Sequence, residues 1–161
     1  MQTWITKNLP IEQLKRLDFL VGEFSSWHTM WPVGRSPVQF RSVVRANREG
    51  CDRFLRMEQF SDVPGIGLVS STEMFTFNRR ESNFEAFGFS TAHEESLMKF
   101  HGGWEGDRLI LTSTPARGYA GFERYRHTFT PTEAGFDFLE ERWDICGFVR
   151  HMQGSYLLCP I

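Results

Sequence analysis

Leu17-Asp18-Phe19-Leu20-Val21-Gly22-Glu23-Phe24-Ser25-Ser26-Trp27 is the stretch whose reading decides the architecture. On its N-terminal side Ile11, Leu14 and Leu17 recur at threes, while Glu12, Gln13, Lys15 and Arg16 take the opposite side. That spacing is the mark of an amphipathic helix, and Pro10 suits its first turn because a missing N–H costs nothing there. The pattern predicts a helix over about 10–20, ending near Gly22. Beyond Gly22 the apolar period drops to two, which is the period of a half-buried strand.

The strand pattern then continues almost to the end of the chain. Candidate strands run over about 22–31, 36–47, 52–61, 68–77, 83–91, 97–104, 108–115, 121–130, 136–144 and 147–157. The breaks between them are turn chemistry, such as Trp31-Pro32-Val33-Gly34, Arg48-Glu49-Gly50, Asp62-Val63-Pro64-Gly65, Glu105-Gly106-Asp107 and Ile145-Cys146-Gly147. Short connections make sequential strands antiparallel neighbours. The expected fold is all-β: one antiparallel up-and-down barrel of about ten strands, a single domain over 1–161, with the short N-terminal helix covering one open end.

Composition agrees with a globular, strand-rich chain. The 161 residues are 40% hydrophobic and 24% charged, and the 15% aromatic share favours strands. A net charge of −2 provides no general attraction to nucleic acid or to an anionic membrane, so neither is an expected partner. No apolar run is long enough for a membrane span or a signal peptide. Cys51, Cys146 and Cys159 are odd in number and widely spaced, fitting neither a disulfide framework nor a zinc pattern. They read as reduced thiols of a cytoplasmic protein.

Hairpin registers indicate which side chains face inward. A turn at Glu105-Gly106-Asp107-Arg108 places Met98, Phe100 and Trp104 on one face with Leu109, Leu111 and Ser113, and that apolar face is expected inside. Alternation in 121–130 points Tyr125 and His127 inward, and His28 shares parity with Phe24 and Ser26. In the last hairpin a two-residue loop at Ile145-Cys146 pairs Trp143 with Phe148, Glu141 with Arg150 and Leu139 with Met152. Its large apolar members assign that face to the interior, carrying Glu141 and Arg150 with it. The connection over 131–135 leaves the alternative open: an even loop puts Phe138, Glu140 and Arg142 inside instead.

The run Leu20-Val21-Gly22-Glu23-Phe24 resembles the Gly-x-Trp opening of calycin-type barrels, the lipocalins, fatty-acid-binding proteins and their relatives, with Phe24 at the Trp position. The chain as a whole looks most like a bacterial family of calycin-like domains of unknown function. That family's later Gly-x-Trp-x-Gly-Asp-x-Leu segment is matched here by Gly102-Gly103-Trp104-Glu105-Gly106-Asp107-Arg108-Leu109. The resemblance implies a barrel that binds a small ligand, with haem as in the related nitrobindins among the candidates.

The candidate ligand-binding residues are therefore His28, Trp104, Tyr125, His127, Glu141, Trp143 and Arg150. An inward arginine among aromatics must be paired, or it anchors a carboxylate or phosphate whose apolar tail the aromatics cover. The leading expectation is a barrel for a small apolar or amphipathic ligand with an anionic head group at Arg150. Haem would need one accessible histidine, His28 or His127. An enzyme would use His127 or Glu141 as acid or base. A second copy of the chain is the other candidate partner. No motif for a nucleophile, a nucleotide loop or a metal cluster is present in the sequence, so no catalytic or metal residue is assigned.

Overall fold

The computed structural model describes residues 9–91, 97–118 and 121–159. A helix α1 (Leu9–Lys15) and a 3-10 turn (Asp18–Leu20) precede strands β1 (Gly22–Met30), β2 (Val38–Glu49), β3 (Phe54–Val63), β4 (Gly67–Asn78), β5 (Asn83–Ser90), β6 (Met98–Glu105) and β7 (Arg108–Ser113). There follow β8 (Ala116–Gly118), β9 (Gly121–Glu123), β10 (Tyr125–Thr132), β11 (Gly135–Asp144) and β12 (Gly147–Leu158). Ten of these strands close a barrel in the order β1-β12-β11-β10-β7-β6-β5-β4-β3-β2. Neighbours are antiparallel throughout, and β1 against β12 seals the sheet, which leaves no barrel edge unpaired. The expected ten-stranded up-and-down barrel is the architecture observed.

Two elements differ from the sequence reading. The helix is shorter than 10–20, because the backbone leaves the helical path at Leu17 and resumes only as the single 3-10 turn. The strand expected over 121–130 is divided: β8 and β9 form a separate two-stranded ribbon, and the barrel strand β10 begins at Tyr125. Pro115, which has no N–H for a ladder, follows the end of β7.

The helical segment sits at one end of the barrel. Leu14, Leu17 and Leu20 are fully buried, and Phe19 packs edge-on against Trp104 and Phe136 at 5.9 and 6.1 Å. Arg48 of β2 ties the segment down, donating from Nη2 to the Leu14 carbonyl at 2.7 Å and from Nε to Asp18 at 3.0 Å. The opening motif is explained here. Gly22 has φ +141°, and a Cβ on it would stand 2.8 Å from Leu158 of the closing strand. Phe24, two residues on, is buried edge-on against Phe136 at 5.1 Å. This end, with the turns at 50–53, 79–82, 106–107 and 133–134, is the closed base; the segments 31–37, 64–66, 114–118, 121–124 and 145–146 surround the opposite mouth.

The β6–β7 register is as expected, with Trp104 opposite Leu109 and Phe100 opposite Ser113. Phe100, Leu109, Leu111, Tyr125, His127 and His28 are all buried. The β11–β12 hairpin corrects the reading of its faces. The Trp143–Phe148 and Glu141–Arg150 pairs form, but between Glu141 and Glu140 the register shifts, Glu140 pairs with Met152, and His151 is the extra residue of a bulge. The β10–β11 turn is the even two-residue loop Glu133-Ala134, which sets Phe138 opposite Phe129, Glu140 opposite His127 and Arg142 opposite Tyr125. The even residues of β11 therefore face inward. Glu141, Trp143 and Arg150 lie on the outer wall, where guanidinium groups rather than a core cover the aromatics. Trp143 is 49% exposed and edge-on to Phe148, Arg126 stacks 4.4 Å above Phe148, and Arg150 stands 5.3 Å over Trp31.

Candidate functional site

Above the aromatic layer at its centre, the barrel encloses a cavity of about 390 Å³. Phe129 and Phe136 line its lower part, Phe40, Met57, Phe138 and Met152 its walls, and the exposed Val33, Ile66 and Phe89 its rim. A volume near the lower end of small-molecule sites, with mostly apolar walls and a few converging polar groups, has the character of a ligand pocket. A larger hollow of about 720 Å³ lies outside the barrel, along outward residues such as Ser25, Trp27, Gln153 and Ser155. It is a surface groove and shares none of the polar groups that line the cavity.

Those polar groups come from opposite walls. Glu73 projects from β4, His127 from β10 and Glu140 from β11. His127 Nε2 is 2.8 Å from Glu140 Oε2, and Nδ1 is 3.2 Å from Glu73 Oε1, a contact too far off axis to count as an aligned hydrogen bond. The ring stacks on Phe100 at 4.3 Å. Burial by itself would drive the imidazole neutral, but the close charges of Glu73 and Glu140 and the hydrogen bond to Glu140 outweigh it and raise the pKa to about 10. His127 is thus an imidazolium between two carboxylates. Nearer the mouth, His151 Nε2 approaches Glu140 Oε1 at 3.7 Å, and Arg142 also lines the cavity. Among the described residues no carboxylate pairs with the Arg142 guanidinium.

His28 is the opposite case. It is fully buried, stacked on Phe40 at 5.3 Å and edge-on to Tyr156 at 5.0 Å, with neither ring nitrogen hydrogen-bonded among the described residues. Desolvation lowers its pKa to about 4, against a smaller opposing pull from Glu140. Gly154 across the ladder makes the space, since a Cβ there would lie 2.9 Å from His28 Nε2. Tyr156 extends the same packing, stacked on Phe136 at 4.5 Å, and its phenol is raised well above its ordinary value by burial and by Glu73 and Glu140.

Of the residues singled out from sequence, only His127 lines the cavity. Tyr125 is inward and buried, 6.1 Å ring to ring from His151, and His28 is packed into the wall. Trp104 belongs to the base, beneath Arg16 at 4.7 Å. Glu141 is outside, in a two-bond pair with Arg126 at 2.7 and 2.8 Å, so it is no general base for an interior ligand. Trp143 and Arg150 are outside with it. The sequence reading missed Glu73, Gln59 and Ser71, which lie on strands whose polar residues it did not assign to a face. Glu140 and Arg142 were reachable through the even-loop alternative alone.

The histidines offered for haem do not fit that role. His28 Nε2 faces Gly154 within the wall, and both His127 nitrogens are engaged by carboxylates. Among the described residues no group of three or more His, Cys, Asp or Glu is placed to hold a metal ion. His93 lies outside the described residues. No helix among the described residues is long and apolar enough to cross a membrane. Comparison with protein-family models finds none that matches the chain, and comparison with curated proteins finds no match.

Proposed function

We propose that this barrel binds a small, mostly apolar molecule in its interior and holds an anionic head group of that molecule at Arg142, as a calycin-like cytoplasmic binding protein. The observation that carries the reading is the guanidinium at the mouth side of an apolar cavity, without a carboxylate partner among the described residues. A half-buried cation on an apolar wall gains from an anionic partner, and a carboxylate or phosphate offers it two parallel charge-assisted bonds. Phe129, Phe136, Phe138 and Met152 would cover the tail. The anchor sought at Arg150 moves to Arg142 because the even face of β11 is the inward one. Cys51 and Cys146, exposed and unpaired, suit a reducing compartment.

The test is displacement of a fluorescent fatty-acid probe by dodecanoate. A hydrogen bond to a charged group contributes about 1.5–3 kcal/mol, so Arg142→Ala is expected to weaken dodecanoate binding about tenfold or more. Arg150→Ala, on the outer wall, leaves it unchanged. Equal losses in both variants, or no binding by the wild type, overturn the proposal.

A further inference from the structure

One lip of the mouth combines bare aliphatic tips with guanidinium groups. It is built from the mouth-side ends of β10, β11 and β12 and from the 31–37 connection, which the bond from the Trp31 amide to the His151 carbonyl ties to β12. At its tip the turn Ile145-Cys146 holds Ile145 99% exposed, and Val33 on the adjoining connection is 69% exposed. Trp143 and Phe148 form the outer slope, with Arg124 and Arg126 over Phe148 and Arg150 over Trp31. Arg35, exposed beside Val33, adds a further cation. The carboxylates of this lip are Glu141, which Arg126 occupies, and the exposed Asp144. Among the described residues Arg35, Arg124 and Arg150 have no carboxylate partner. The chain's net charge of −2 is an average, and this lip is locally cationic.

We propose that this lip docks on an anionic lipid surface, with Ile145 and Val33 entering the boundary between head groups and acyl chains and Arg35, Arg124 and Arg150 meeting the lipid anions. Aliphatic tips flanked by a tryptophan and by arginines match that boundary, because the tips gain an apolar medium while the guanidinium groups stay at head-group level. A single-stranded nucleic acid would use the arginines and stack on the rings, but it offers Ile145 and Val33 nothing. Val33 also belongs to the rim of the cavity, so docking sets the mouth against the lipid. An amphipathic anion could then pass between membrane and barrel without crossing water, a consequence that rests on the reading of the barrel as its carrier. The docking itself does not depend on that reading.

Sedimentation of the full chain with vesicles tests it, using phosphatidylcholine alone and an equal mixture of phosphatidylcholine and phosphatidylserine. Partition into the mixed vesicles is expected to be about tenfold stronger or more, and to fall as salt is raised. The pair Val33→Ser and Ile145→Ser should weaken it about tenfold. The pair Arg35→Gln and Arg150→Gln should do the same with mixed vesicles and change little with phosphatidylcholine. All four positions are exposed, so an unchanged thermal midpoint is expected and separates lost docking from lost folding. Mixed vesicles that leave the wild type in solution overturn the proposal, as does equal partition into both lipids or wild-type partition by the Val33 and Ile145 pair. A single-stranded oligothymidylate that binds where the vesicles do not assigns the lip to nucleic acid instead. Dodecanoate displacement is measured without lipid, so failure of docking leaves the Arg142 reading standing, and failure at Arg142 leaves the docking standing.

Discussion

Two buried histidines show how strongly environment overrides residue type. His28 and His127 are both hidden from solvent, yet one is displaced down to about 4 and the other up to about 10. The difference is the neighbours. His28 meets Phe40, Phe138 and Tyr156, with Glu140 too weak to reverse desolvation, whereas His127 touches Glu73 and Glu140 directly. The consequences for stability run in opposite directions. His127 has a folded pKa above the unfolded value near 6.5, so its contribution is complete below about 6.5 and is lost as pH rises toward 10. His28 has a depressed one, so its contribution is complete above about 6.5 and is lost as pH falls toward 4. Denaturant melts across pH should therefore give a dome with its crest near neutral pH. His28→Phe is expected to flatten the acid limb, by on the order of 3 kcal/mol at pH 4, and to leave the alkaline limb in place. An unchanged acid limb in that variant would assign the loss to other groups.

At the scale of elements, the strand registers depend on a few positions where a side chain cannot be added or a residue cannot be removed. Gly102 of β6 is the clearest. A Cβ there would fall 2.0 Å from the Ile110 carbonyl oxygen of β7, a backbone atom that can retreat only by separating the two strands. Gly102→Ala should cost at least about 3 kcal/mol, read as a drop in the urea midpoint, whereas Gly103→Ala, with open space around it, should cost less than about 1 kcal/mol. The bulge at His151 works differently. It lets Glu141 and Arg150 pair on the outer wall while Met152, Gly154 and Tyr156 keep their inward positions, so one strand serves two registers. No residue type announces it, since Arg150-His151-Met152 carries no glycine or proline, and this is why a uniform hairpin register went astray there.

For the whole molecule, the barrel is filled at one end and hollow at the other. The base holds the helical cap and the fully buried layer of Phe24, Phe75, Phe129 and Phe136; the mouth holds the cavity, the charged groups and the exposed rim. Protection from hydrogen exchange should follow that gradient. The amides of Phe136, Phe138 and Tyr156 should exchange only through global unfolding, and those of the mouth turn at Ile145-Cys146 through local opening several kcal/mol cheaper. Dodecanoate at about a hundred times its Kd should add about 2.7 kcal/mol and raise the thermal midpoint, with the gain much reduced in Arg142→Ala. Uniform protection along β11 and β12 would contradict the division into a filled base and a hollow mouth.

The sequence alone determined what depends on local pattern. Period two between turn signals specifies antiparallel strands, short connections specify a meander, and a glycine at the helix–strand junction with Phe24 beyond it marks where the barrel begins. The inward positions of Phe100, Leu109, Tyr125, His127 and His28 were legible the same way, because each strand has only two faces. The tertiary structure alone decided which face of β11 is inside, and so exchanged Glu141 and Arg150 for Glu140 and Arg142. The physical reason lies in the bulge and the cation-covered outer wall. Apolar Trp143 and Phe148 find shelter beneath arginines as well as in a core, so hydrophobicity there does not report direction. Glu73, far along the chain from His127, could be matched to it only by closure of the barrel, which brings β4 and β10 across the interior from each other. The opening stretch decided the barrel, and the closure of that barrel decided its site.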